Sequence, residues 1–332
     1  MHIGGAYCVE VRQVVDIYGA RASFFAQEKP RNRFRFLCSD TRCRTEHNTK
    51  VIGINYDKLV EEGDRFVLTP HFRTSAGSAH ADECEWVAGS APAATSSGSS
   101  GRAVASENGR FRRIKASDMI DTFSPNLWSH AAPQDRSATV TVEDGRVVGP
   151  GTEDSLTTQT CRSVPRTRSA LLEPIVRAYE LLEPNERREA RLLIAGTSRM
   201  RYSTAFCHVE HYERVRGPRI FYGGVWVQLH GPNFAIRFFD QVRAPSPSAE
   251  KAGRQLTLYL KRDALFAHWN GRFLIEQLAV AAQPGHYAHC YFFGRLEDHP
   301  RFAGKLVVCV ESLDHLVFIV RRRLRGAFKG FA

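Results

Sequence analysis

Five soft metal donors crowd the first part of the chain: Cys38, Cys43, His71, His80 and Cys84. They fall into two close pairs, Cys38-x4-Cys43 and His80-x3-Cys84, with His71 between them. Zinc takes four nitrogen or sulfur donors in a tetrahedron, and folds usually deliver them as two close pairs. The pattern predicts a zinc site built from Cys38, Cys43 and Cys84 with His80 or His71 as the fourth ligand. No glutamate follows a histidine as in the His-Glu-x-x-His helix, so the expected role is structural rather than catalytic. A small β domain gains stability from such a staple.

A second chemistry resides in residues 196–332. They hold 20 of the 46 Lys and Arg but only 10 of the 35 Asp and Glu, and so carry nearly all of the net charge of +11. A one-sided basic field attracts polyanions, nucleic acid first. The same block places aromatic residues beside cations. Period-two alternation turns Phe234, Ile236 and Phe238 inward and leaves Arg237 and Phe239 outward. It also turns Leu256, Leu258 and Leu260 inward and leaves Gln255, Thr257, Tyr259 and Lys261 outward. Bases stack on exposed rings and phosphates meet exposed charge, which is how single strands are held without sequence readout. Trp226, Tyr291 and Arg295 are further candidates for this surface. Arg321, Arg322, Arg323 and Arg325 would add phosphate contacts from a basic end.

These side chains need strands to present them. Residues 220–227, 234–239, 255–261 and 290–294 read as four strands, and residues 306–310 with 316–320 as a fifth, broken at Asp314. His230-Gly231-Pro232-Asn233 is hairpin chemistry, and Gly223-Gly224 and Gly294 are places where long strands can bend. A helix falls within residues 263–280. Five strands with a helix between the third and fourth is the order of an oligonucleotide/oligosaccharide-binding barrel, and residues 215–322 resemble proteins of that fold in architecture. The resemblance implies binding on strands two and three.

The remaining organisation follows from composition. Residues 1–88 read as a zinc-binding β domain, with strands near 7–11, 34–37, 50–56 and 65–68. Residues 89–168 are rich in Ser, Ala, Gly and Pro and read as a disordered, flexible linker with a short ordered island near 109–129. Residues 169–214 form a helical segment: one helix with Pro174 in its first turn, ended by Pro184, then a second over 186–194 capped by Asn185. Residues 323–332 are a basic tail. The fold class is mainly β with some α: a small zinc-stapled β domain, a linker, a helical hairpin and a C-terminal OB-like β-barrel. Residues 34–86 resemble the zinc-ribbon-like module that opens the CoiA competence family. Cys38-x4-Cys43, Pro70-His71-Phe72-Arg73 and His80-x3-Cys84 carry that likeness, which implies a bacterial protein that handles nucleic acid.

Other classes are disfavoured. No run approaches the ~18 apolar residues of a membrane helix, and Met1-His2-Ile3-Gly4 does not open a signal peptide. The 8 cysteines are too few for a disulfide scaffold, so the expected compartment is the cytoplasm, with reduced thiols. There is no phosphate loop, nucleophile elbow or dinucleotide fingerprint. His208-Val209-Glu210-His211 is the densest catalytic-looking patch, with no third ligand at a useful spacing. The expected function is therefore a nucleic-acid-binding protein that prefers single strands, with no membrane partner and no catalytic residues assigned. The zinc domain is open to a protein partner. The alternatives are a protein-interaction adaptor whose charge is incidental and a nucleic-acid-processing enzyme whose site is assembled from distant residues.

Overall fold

A computed structural model describes residues 3–60, 69–82, 84, 86, 120–125, 167–243 and 253–322. Most of the expected linker, the strand expected at 65–68 and the basic tail with Arg323 and Arg325 lie outside the described residues.

The first sheet joins β1 (Gly5–Cys8), β2 (Gln13–Asp16), β3 (Phe36–Cys38), β4 (Lys50–Ile54) and β5 (His71–Thr74) in the order β2-β1-β3-β4-β5, antiparallel throughout. Two helices belong to it, α1 (Ile17–Ala26) and α2 (Thr41–Glu46). The side chain of Asp16 caps α1 by accepting from Gly19 N at 2.6 Å. Ile17, Ala20, Arg21, Phe24 and Phe25 of α1 are buried.

The island at 109–129 holds a strand. β6 (Ile120–Phe123) pairs in parallel with β7 (Thr167–Ser169) and β8 (Arg191–Ile194), and β9 (Met200–Arg201) closes the second sheet in the order β7-β6-β8-β9. Around it lie α3 (Leu172–Leu181), α4 (Pro184–Glu189) and the short α5 (Tyr202–Ala205). The second helix differs from expectation. Pro184 opens it rather than ending the first, Glu183 N donates to Glu186 Oε2 at 2.8 Å at its start, and the chain turns to strand at Arg191. Proline suits a first helical position because its missing N–H would have no partner there.

The third sheet is the largest. It contains β10 (Phe206–His208), β11 (Ile220–His230), β12 (Asn233–Phe238), β13 (Gln255–Leu260), β14 (His286–Phe293), β15 (Arg295–Asp298), β16 (Lys305–Cys309) and β17 (Leu316–Arg322). Helices α6 (Arg262–Ala267) and α7 (Gly271–Ala281) lie between β13 and β14. The path runs β15-β16-β13-β12-β11-β14-β17, with β10 added beside β11. The expected barrel is not closed. The two halves of the fifth strand part at the 3-10 turn Leu313–His315: β16 pairs in parallel with β13, while β17 pairs antiparallel with β14 at the other end of the path. Side chains from the α6–α7 connection reach the turn at this break. Asp314 accepts hydrogen bonds from Trp269 Nε1 at 2.8 Å and Ser312 Oγ at 3.3 Å, and His268 Nε2 lies at 3.1 Å. These bonds pin the turn.

Both faces of this sheet are used. Along β17, Leu316, Phe318 and Val320 join one core while Val317 and Ile319 join another, the two-residue period of a strand covered on both sides. The first core is continuous with that of the N-terminal sheet. Phe25 of α1 meets Phe273 of α7 edge-on at 5.1 Å, and Arg31 reaches Glu276 at 2.9 Å. The second core is made with α3, β6 and β8. Tyr291 belongs to it at 2% exposure, bonded to Glu180, so it is no surface residue. Among the described residues no helix is long and apolar enough to cross a membrane.

Candidate metal centre and aromatic sheet face

The four donors arrive from three places. Cys38 ends β3, Cys43 lies in the second turn-forming stretch α2, and His80 and Cys84 sit on the chain after β5. Asp40 caps α2, its Oδ1 accepting from Cys43 N at 3.0 Å, and so sets where the Cys43 sulfur points. Cys84 N donates to Ala81 O, a turn that brings Cys84 back beside His80. Ala81 N in turn donates to Cys43 Sγ at 3.3 Å. All four ligand atoms lie within 4.8 Å of one another.

The spacings fit an ion. Cys38 Sγ lies 3.7 Å from Cys84 Sγ and 3.5 Å from His80 Nδ1, and Cys84 Sγ lies 3.3 Å from His80 Nδ1. A tetrahedron with about 2.3 Å metal–sulfur arms has sulfur–sulfur edges of about 3.8 Å. The three sulfurs are fully buried and free of disulfides. Burial, with Cys84 close by, pushes the Cys38 thiol up to about 12, and burial also raises Cys43. Burial lowers the His80 imidazole, which keeps it neutral and able to ligate. A cation amid the sulfurs reverses the thiol argument, because a metal-bound thiol is deprotonated outright. His71 is not part of the cluster: its Nδ1 faces Thr69 O at 2.9 Å. Trp86, which spacing arguments overlooked, packs against the cluster and donates from Nε1 to Ser39 Oγ at 2.6 Å.

The other surface lies on the third sheet. Trp226 of β11 stands opposite Arg237 of β12, and Tyr259 of β13 opposite Ala235. Trp226 is 52% exposed, Tyr259 49% and Phe239 41%. Arg237 and Lys261 are exposed, and neither has an ion-pair partner among the described residues. Phe239 leans back over Gly224 and meets Trp226 edge-on at 4.9 Å. Beyond Tyr259 the row continues through His299 at 6.0 Å to the exposed Phe302, 4.8 Å further, with Lys305 above its ring. Alternation alone did not point to these last three residues.

Other expected contacts fall elsewhere. Thr257 is buried at 4%. Arg295 is exposed but bonded to Glu297 at 2.7 Å, and Arg321 is held by Glu180 at 2.9 Å beside the second core. Arg322 is exposed at the end of β17. His208 faces Asp240 at 3.4 Å rather than forming a metal site with His211. No protein family, curated protein or solved structure matches the chain.

Proposed function

We propose that this protein binds single-stranded nucleic acid across the outer face of β11, β12 and β13, and that Cys38, Cys43, His80 and Cys84 hold a structural zinc ion. The observation that carries the first part is the row of exposed Phe239, Trp226 and Tyr259 interleaved with Arg237 and Lys261. Large rings at an open sheet surface leave apolar area in water, and bases of a single strand would cover it. A duplex keeps its bases stacked on each other and offers no ring faces. The cations supply charge complementarity with phosphate, backed by the basic C-terminal block.

Zinc is the reading for the metal because three thiolates and one imidazole form a soft, four-donor set with no open position. When bound, the ion would tie β3, α2 and the segment after β5 into one unit. The resemblance of residues 34–86 to the CoiA-type module points the same way.

The test is fluorescence anisotropy of labelled single-stranded and duplex DNA and RNA over a salt series. Single-strand binding that weakens linearly on a log–log plot against salt supports the reading. Absence of binding at low salt removes it.

A further inference from the structure

The β8–β9 hairpin sets two arginines directly opposite each other. Arg191 of β8 and Arg201 of β9 are register partners in the antiparallel pair, and both side chains are exposed. Like charges facing each other across two strands weaken the pairing that carries them. Among the described residues neither guanidinium has a hydrogen-bond or ion-pair partner. Their neighbours are engaged: Arg199 holds Asp121 at 2.9 Å, Arg188 bonds within its own helix to Pro184 O and Asn185, and Arg187 lies over the Tyr179 ring. On the opposite face of the hairpin, Leu192 pairs with Met200 and is fully buried in the second core. The two cations therefore ride on a support anchored from below, and β9 is the last strand of its sheet.

A local rule broken on a firm scaffold points to a ligand that relieves it. Two arginines whose backbones stand one strand spacing apart, ~5 Å, can bring both forks to one anion with several oxygens, as in a phosphodiester, and arginine forks match phosphate geometry.

The outward face of β11 carries Ile220 and Tyr222, which pack into the second core under this same unit, and then the open Trp226. The β6–β9 unit thus roofs one half of the face whose other half bears the stacking row, with Arg191 and Arg201 on the side of the roof turned away from that face, so a strand leaving the row reaches them by passing over the roof.

We propose that Arg191 and Arg201 form a phosphate clamp that grips the backbone of the nucleic acid bound on the aromatic face. The choice of ligand rests on the single-strand reading above; the clamp itself rests on the arginine pair.

The experiment compares wild type with R191Q/R201Q in two arms. In the first, the slope of log affinity against log salt for a single strand falls by about 0.7, the share of the one phosphate the pair grips. An unchanged slope, in a protein whose binding still depends on Trp226 and Tyr259, overturns the clamp and leaves the stacking reading intact. In the second arm, inorganic pyrophosphate raises the melting temperature of wild type but not of the variant. If wild type binds no nucleic acid, this arm decides alone: selective protection upholds the clamp for another phosphate ester, and equal or absent protection overturns it. Without ligand, R191Q/R201Q melts no lower than wild type, because the substitutions remove a repulsion. A lower melting point would show the pair to be structural and would also count against the clamp.

Discussion

Phe239 lies over Gly224: a Cβ on that glycine would stand 2.6 Å from the phenyl ring, closer than real Cβ atoms come to a neighbour. The absence of a side chain at position 224 is what lets Phe239 fold back beside Trp226. Gly224→Ala therefore swings an exposed ring away rather than disturbing the core. The expected result is single-strand affinity weakened roughly tenfold, about one stacking contact, with a melting temperature within a few degrees of wild type by calorimetry.

Removing the metal should act on the whole molecule. The sulfurs form their own small cluster, but the N-terminal sheet that carries them shares its core with the C-terminal sheet. Freshly purified protein should contain close to one equivalent of zinc by elemental analysis. Cys84→Ser, or a strong chelator, should cost at least several kcal/mol of stability. A metal-free protein with an unchanged unfolding curve would contradict the assignment.

Asp314 offers a pH-dependent test. Burial pushes its carboxyl up, but the His268, Trp269 and Ser312 side chains and the charge of His268 outweigh this and hold it below the ordinary range. A carboxyl whose folded pKa is depressed contributes stability above its unfolded pKa, near 3.9, and loses it as pH falls through the lower folded value. Asp314→Asn should cost about 1–3 kcal/mol at neutral pH and flatten the acid limb of the stability profile. Denaturant melts across pH 2–7 measure both effects.

Arg21 is 1% exposed and holds Glu173 of α3 in a two-pronged pair, one prong at 2.7 Å, with Arg177 on the same carboxylate at 3.2 Å. This links the N-terminal unit to the middle one. Arg21→Ala leaves the carboxylate to Arg177 alone and should cost about 3 kcal/mol, largely insensitive to salt because the pair is buried. A denaturation series at low and high salt checks this.

How much of this was legible in the sequence varies by element. The paired spacing of Cys38/Cys43 and His80/Cys84 picks out the cluster, since the ligands on each turn are close in sequence. The alternation in β12 reads correctly and that in β13 only in part: Phe234, Ile236, Phe238, Leu256, Leu258 and Leu260 are all buried and Arg237, Phe239 and Tyr259 are exposed, but Thr257, expected outward, is buried. Helix α1 is hidden because its single buried stripe, Ile17, Ala20, Arg21, Phe24 and Phe25, includes a charged residue while Tyr18 and Ala22 lie off it, so the hydropathy pattern does not mark one apolar face. Tyr291 and Arg321 misled for a different reason. Alternation gives the side of the sheet they occupy, but not that Glu180, over a hundred residues away, covers it. The turn that parts β16 from β17 is likewise met by Trp269 and His268 reaching Asp314, a contact between elements that local periodicity does not encode.

The most direct measurement is the single-strand affinity of W226A/Y259A beside wild type, by anisotropy over the same salt series. Two stacking contacts at ~1–3 kcal/mol each predict a loss of roughly a hundredfold or more, with the salt slope unchanged because no phosphate contact is removed. Wild-type affinity in the double variant would contradict the account, since bases would then not rest on this face.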